Sequence, residues 1–432
     1  MRVRLAALAV WFAACAVAWP TAAADPAVSP RVLTLDDAFA RVADSHPDLR
    51  LFGPRGDMLA AERDRAALRP PLVAGATIEN AFGSGDFSGL QGAELTLSLA
   101  SVFERGGKLD ARRTLAQSRI DALAVERETR RLDLLAEVAR RYLAVVAAQR
   151  QREIAQLDIA QRQRTVAGAR QRLQAGASPE SVVLTAQAAL ARAELDRARA
   201  EQREQAARQH LAALWGERDP GFEVAAADPT ALPAIDDLDA LGTLLQRTPE
   251  LAQFAGEQRI REARLQLARS NASPDLAWQV GVRRLQATDD MALVGSLSLP
   301  LGSARRAQPE IRAAEAELAM LEIEREAKGV SLYSTLTEAH GRYRTAQLEV
   351  RRLRDDVLPK LAKAEAAAER AYHAGAISYL EWAQLQSERT NARKQQLDAA
   401  LDAQRALIEI QRLTGQAFVA APAASPAQGT SP

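Results

Sequence analysis

The chain has 432 residues, with 56 Lys and Arg against 55 Asp and Glu, one cysteine and 4% aromatic residues. A balanced charge argues against a nucleic-acid binder, and a single cysteine excludes an intrachain disulfide framework. Ala, Leu, Arg, Gln and Glu abound, the composition of long helices with thin, alanine-lined contacts.

Residues 1–24 read as a secretory signal peptide. Arg2 and Arg4 precede an apolar run from Leu5 to Trp19, which is shorter than the roughly 20 residues a spanning helix needs. Pro20 and the run Ala22-Ala23-Ala24 then mark cleavage before Asp25. Loss of the two arginines leaves 54 basic against 55 acidic residues. Phe12-Ala13-Ala14-Cys15 loosely resembles a lipoprotein box. Removal of Cys15 with the signal is the preferred reading and lipidation the alternative.

The first unit, residues 25–220, opens with a helix from Leu35 to Leu68. Gly53, Pro54 and Gly56 interrupt it, and proline there is expected to kink it. Two strands follow, at about 72–82 and 92–100. A helical hairpin spans 108–215, with a helix from Lys108 to Gln174, the turn "AGASP" and a helix from Glu180 to Trp215. A linker covers 221–236. The second unit, 237–417, runs in the same order: a helix from Leu238 to Arg269, strands at about 275–285 and 291–301, and a hairpin at 309–413. That hairpin has helices Pro309–His373 and Tyr379–Leu413 around the turn "AGAIS". The tail, 418–432, is Pro/Ala/Ser-rich and expected to be disordered.

The parallel between the units is specific. Gly176 and Gly375 lie 199 positions apart. "SHPDL" at 45–49 is echoed by "RTPEL" at 247–251, "LTLSLA" at 95–100 by "GSLSLP" at 295–300, and "ALWGE" at 213–217 by "RLTGQ" at 412–416. Matching pairs in one order at nearly one offset argue for duplication of a single large unit. A helix of 67 residues would reach roughly 100 Å, so it needs partners along its whole length, as in coiled coils or helical tubes.

The strands alternate with period two. Leu95, Leu97 and Leu99 interleave with Glu94, Thr96 and Ser98; Trp278, Val280 and Val282 interleave with Gln279, Gly281 and Arg283. Runs of about 9–11 residues suit a tilted membrane strand. Alternation also fits a soluble sheet with one wet face. Export, and the lack of other apolar segments to build a core for such a sheet, favour the membrane. Four strands cannot close a barrel, and open edges in lipid leave costly unpaired backbone groups. The barrel must therefore be shared, among two, three or four chains.

No chemistry-bearing motif appears. There is no G-x-S-x-G, P-loop or Cys/His cluster, and His46, His210, His340 and His373 lack metal-ligand spacing. No enzyme activity, catalytic residue, cofactor or metal site is expected. Arg150, Arg152, Arg162, Arg164, Arg170 and Arg172 make the approach to the first turn basic, as a solvated helix face with i,i+4 partners would. Phe82, Phe87 and Trp278 fit an interfacial aromatic girdle.

The arrangement resembles the TolC family of outer-membrane efflux proteins. The matching segments are the tandem repeat, "LTLDDAFARVADSHPDL" (33–49), "QAGASPESVVLTAQAALARAELDRA" (174–198) and "HAGAISYLEWAQLQ" (373–386). "IENAFGSGDF" and "FERGGKLDARR" (103–113) look like the CzcC-type branch that serves heavy-metal efflux. One departure is Ala100, where the family has proline; Pro300 is present in the second unit.

The resemblance implies a mainly α fold with a small β-barrel portion. Long helical hairpins would form a periplasmic tunnel, and four strands per chain would build a shared 12-stranded barrel in a homotrimer. It places the protein in the outer membrane of a Gram-negative bacterium, in contact with its lipid. It implies a periplasmic adaptor (membrane fusion protein) and an inner-membrane pump of the resistance–nodulation–division (RND) type, with heavy-metal cations as cargo. The hairpin tips, Ala175, Gly176, Ala177, Ser178, Ala374, Gly375, Ala376 and Ser378, would meet the adaptor, or serve only as helix caps. Glu381, Gln384 and Val182 would line the periplasmic aperture, where Glu381 is either an anionic ring or a solvated surface residue. Two other classes stay open: a periplasmic coiled-coil adaptor or scaffold, and an outer-membrane duct for drugs or secreted protein.

Overall fold

The computed structural model describes residues 31–418. The signal segment, Cys15 and the tail from residue 419 lie outside the described residues. Phe418, assigned to the tail by composition, instead packs its ring 5.7 Å from Phe39, because an aromatic side chain next to the core gains more from burial than from solvent.

The chain is two copies of one plan. Strand β1 (Arg31–Leu33) leads into α1 (Leu35–Ser45), α2 (Pro47–Arg50) and α3 (Phe52–Ala66). Strands β2 (Val73–Glu79) and β3 (Glu94–Phe103) follow, then α4 (Lys108–Gln174) and α5 (Glu180–Ala212). After β4 (Phe222–Val224), the second copy runs α6 (Leu238–Leu245), α7 (Pro249–Ser270), β5 (Leu276–Leu285), β6 (Asp290–Ser298), α8 (Ser303–Arg352), α9 (Leu358–His373) and α10 (Tyr379–Thr414).

The expected first helix of each unit is divided. Thr34 caps α1 with a reciprocal box to Asp37, and His46 ends it and caps α2. Pro54 lies in the first turn of α3, where a missing N–H leaves no intrahelical bond unmade, and the helical run is divided just before it, at Leu51. In the second unit Thr248 and Pro249 restart the chain as α7. The long helix of that unit begins at Ser303, before Pro309, because Gly302 at φ 79° turns the chain straight from the strand into the helix. Residues 353–357 widen into a π turn, in which Leu358 N–H bonds the Leu353 carbonyl. Pro359 supplies the cause: it removes the next donor, and the ladder relaxes.

The linker also holds a strand. β4 pairs in parallel with β1, Val32 opposite Glu223. Leu33, Phe222 and Val224 join the main core with Ala38, Val42, Leu134, Val138, Tyr142, Val145 and Leu211. A second core sits on Leu241, Leu245, Leu336, Tyr343 and Ile410. The first lies midway along α4 and the second midway along the run from α8 to α9, between the four-stranded sheet at one end and the hairpin turns at the other.

Candidate functional site

The sheet, ordered β2-β3-β5-β6, is antiparallel throughout and open at both edges within one chain. Leu97 stands opposite Ala76 and Val282, and Val282 opposite Leu293. Leu97 is 58% exposed and Leu293 87%, while Thr96 on the other face is 5% exposed. This inverts the soluble pattern: the apolar side faces out and the polar side faces in. Burying one such leucine contributes about 1.5–3 kcal/mol, so a row of them left in water is a large unmet demand for an apolar environment. Phe103 and Trp278 stack at 5.9 Å where the strands meet the helices, and exposed Phe82 and Phe87 lie at the loop end, one aromatic level at each side of the apolar band.

The Glu104–Lys108 segment forms the strand-to-helix corner. Gly106 and Gly107 both have positive φ, and a Cβ on Gly106 would lie 2.4 Å from Ser273. Glu104 accepts from Arg112 Nη2 at 2.9 Å, Lys108 reaches Asp275 at 2.7 Å, and Arg105 N–H donates to Asp275 at 3.1 Å. The motif thus locks the corner of the first unit onto the loop that leads into β5.

The hairpin turns are built alike. Gly176 N–H bonds the Leu173 carbonyl and Ala177 N–H the Arg172 carbonyl; Gly375 and Ala376 do the same with Tyr372 and Ala371. These are Schellman endings, which need left-handed residues, and both glycines supply φ near 70–78°. Ala175, Ala177, Ala374, Ala376 and Ser378 are exposed, and Ser178 is half-buried. Beyond the turns the two units differ. Ser378 and Glu381 form a reciprocal cap, with Ser378 N–H donating to Glu381 at 2.8 Å, whereas Pro179 caps α5 with no side-chain bond. The Ser378 backbone N–H, then its hydroxyl, hold the Glu381 carboxyl below the ordinary glutamate range. Glu381 and Gln384 are exposed, and Gln384 donates to Glu388 at 3.1 Å. Val182 is half-buried against Val166, Ala169, Val183 and Ala186.

Behind the turns, polar side chains on buried faces join the two units. Gln386 donates to Thr165 at 2.9 Å and Thr390 to Asp158 at 3.1 Å. Gln161 bonds Glu365, which also accepts from Arg389 at 2.7 Å. Burial, and then the charge of Arg389, lower the pKa of neighbouring Arg393. The arginines on α4 do more than face solvent. Arg172 bonds the Tyr372 carbonyl and stands 4.7 Å over its ring, Arg152 pairs with buried Glu204 at 2.9 Å, and Arg150 donates to the Ala227 carbonyl at 2.7 Å. Only Arg162, paired with Asp158 at 2.9 Å, has the expected i,i+4 partner, and Arg164 and Arg170 are exposed. Tyr372 in turn stacks on buried Trp382 at 4.9 Å. Sequence reading missed this layer. Its signal was polar residues at helical spacing, 158-161-165 and 386-390, on stripes otherwise filled by alanine.

Among the described residues, no group of three or more His, Cys, Asp or Glu side chains is placed to hold a metal ion. His46 Nδ1 accepts from Asp48 N–H at 3.2 Å as a helix cap, and His373 sits exposed beside Tyr372 and Trp382.

Comparison with known proteins follows the same lines. The family described as outer membrane efflux protein matches residues 60–217 and 240–416, one match per unit. The cobalt-zinc-cadmium resistance protein CzcC of Cupriavidus metallidurans is 29% identical over 324 residues, covering 74% of this chain and 77% of its own. Among solved structures, CusC superposes with a TM-score of 0.73 at 18% identity, covering 88% of this chain and 91% of its own. The open state of the Neisseria gonorrhoeae MtrE outer membrane channel gives 0.68 at 18% identity, covering 88% of each chain. The chain therefore belongs to the outer membrane efflux protein family and has the fold of its TolC-like channels.

Proposed function

We propose that the protein is the exit duct of a tripartite efflux system. Three copies close a 12-stranded barrel in the outer membrane, and their hairpins form a tunnel into the periplasm. A periplasmic adaptor docks at the exposed turns around Gly176 and Gly375, and an inner-membrane RND pump supplies the cargo. The inverted sheet carries this reading: an apolar outer face and a polar inner face, with both edges unpaired in one chain. Such a sheet is stable only when lipid covers one face and other copies cover the edges.

The cargo is divalent metal cations. The relation to a cobalt-zinc-cadmium resistance protein supports this assignment. A deletion strain should become sensitive to cobalt, zinc or cadmium while its tolerance of hydrophobic drugs is unchanged. The reverse pattern assigns the duct to drugs.

Glu381 lines the narrow periplasmic mouth, with Gln384 on the same exposed face and Val182 at the corresponding position of the first unit. Three carboxylates near one axis concentrate cations in a poorly screened opening. The hydrogen bonds from Ser378 keep each charged below the ordinary glutamate pKa. Glu381→Gln should therefore lower cation-over-anion selectivity in planar bilayers. Glutamine also serves in a capping box, so assembly should be retained. Unchanged reversal potentials in a salt gradient would make Glu381 a helix cap alone.

A further inference from the structure

The Glu104–Lys108 corner does more than lock two elements together. With the end of α3 it encloses a cavity of about 570 Å³ between α3, α4 and Leu267 of α7. Four arginines line it, Arg65, Arg69, Arg112 and Arg119, against two carboxylates, Glu62 and Glu104. Both carboxylates are engaged. Arg112 donates to Glu104 through Nη1 and through Nη2, the latter at 2.9 Å, and Glu62 stands 3.6 Å from Arg119. Arg112 is fixed further by the Ala66 and Leu68 carbonyls at the end of α3, each at 3.4 Å. The guanidinium groups of Arg65 and Arg69 are exposed and have no acceptor among the described residues.

The second unit serves as an internal control. The cavity between its corresponding helices, α7 and α8, is lined by three arginines and three glutamates, and Arg269 pairs with Glu315 there at 3.0 Å. The duplicated plan therefore does not require a surplus of charge. The surplus arises where the Glu-x-Gly-Gly-Lys motif, present only in the first unit, meets the end of α3. Its two positive charges share a space otherwise lined by alanine, leucine and proline, where an anion would relieve their repulsion.

We infer that Arg65 and Arg69, together with Arg112, bind a phosphate group. Guanidinium forks fit the paired oxygens of a tetrahedral oxyanion. Two uncompensated charges also match a phosphate with a single ester, which carries about −1.5 to −2 at pH 7. The cavity lies on the helical side of the Phe103–Trp278 stack, where the strands give way to helices. That height admits two sources of the same chemistry, a lipid headgroup and inorganic phosphate. The cavity belongs to one chain, so the site goes beyond the shared-barrel reading and does not depend on it.

Two binding measurements on the detergent-extracted protein test this. Calorimetric titration with inorganic phosphate, in chloride buffer of matched ionic strength, reads the free anion. Native mass spectrometry with added phosphatidylglycerol or phosphatidylcholine reads the headgroup. One site per chain is expected, and Arg65→Gln with Arg69→Gln should weaken it at least about tenfold, the change that loss of one charge-assisted hydrogen bond brings. Arg113→Gln removes a charge from a neighbouring groove and should bind as wild type does. Arginine-dependent binding of inorganic phosphate assigns the site to the free anion, and arginine-dependent retention of phosphatidylglycerol over phosphatidylcholine assigns it to the headgroup. Should the double variant fail to fold, each single variant carries the test. No binding in either measurement would overturn the inference, as would binding that survives in the double variant or falls equally in Arg113→Gln. A protein that binds phosphate as a monomer would leave this site standing and remove the shared barrel.

Discussion

Leu97→Arg is expected to abolish outer-membrane assembly, whereas Leu97→Val leaves it intact. Leu97 lies in the middle of β3, paired on both sides, and its side chain stands on the outer face beside Val282 and Ala76. Within one chain it is 58% exposed. If that face met water, arginine would be tolerated there, since exposed substitutions usually stay within about 0.5 kcal/mol. If it meets lipid, arginine at the bilayer midplane costs about 2–4 kcal/mol per site. Three copies in one barrel multiply that cost within a single assembly. Valine keeps the apolar face and has high strand propensity. The measurements are outer-membrane yield after fractionation, and native mass spectrometry of the detergent-extracted protein, which should show a trimer for wild type and Leu97→Val. Equal yields of arginine and valine variants would place the sheet in water and remove the case for a shared barrel.

Arg412→Leu is expected to cause the largest loss of stability outside the membrane. Arg412 on α10 bonds Glu250 on α7 at 2.6 Å, Glu409 at 2.9 Å and Asp133 on α4 at 3.1 Å. Arg140 reaches the same Glu409 at 2.6 Å, and Lys328 on α8 reaches Glu250 at 3.2 Å. One guanidinium therefore joins both units at mid-height. Burial pulls its pKa down, but Glu409 and Glu250 together push it above the ordinary arginine value. Leucine would leave three carboxylates converging with one partner lost. Removing one member of a buried pair costs about 3–5 kcal/mol, and the partial exposure here brings the expectation to about 2–3. The thermal midpoint of the purified protein should fall by several degrees.

The same cluster predicts acid sensitivity. Burial raises the Glu409 pKa, yet Arg412 and Arg140 outweigh it and bring the folded value below the ordinary 4.5. A depressed carboxylate contributes stability that is present above its unfolded pKa and lost as pH falls through the folded one. Wild type should therefore lose stability below about pH 4.5, and Arg412→Leu should lose less over the same range. An unshifted midpoint for Arg412→Leu at neutral pH would mean that Arg140 and Lys328 suffice.

The sequence by itself determined the elements whose signal is local and repeated. The 67 residues of α4 begin after Gly106-Gly107 and end two residues before Gly176, and both boundaries are marked by residues that tolerate positive φ. Period-two alternation over residues 94–99 defined a strand and its two faces, because side-chain direction in a strand follows from position alone. The matched turns at 176 and 375 revealed the duplication. The Ser378–Glu381 capping box is an equally local code, S-x-x-E at a helix start, but sequence alone placed Ser378 at the turn and Glu381 at the aperture and did not pair them.

Tertiary structure decided what depends on residues far apart in the chain. β1 and β4 are three residues each, too short for periodicity, and exist only because they pair across 191 positions and lay Leu33, Phe222 and Val224 into a core built mostly by other elements. The same holds for Arg172 over Tyr372, Thr165 against Gln386, and Arg412 among its carboxylates. An arginine on a helix reads as solvated until a second helix covers it, and helix phase alone does not say which helix arrives. Pro54 and Pro359 make the point in opposite senses. One falls in a first turn, just after the break at Leu51, and the other stands in an otherwise continuous helical run, where the ladder before it widens into a π turn.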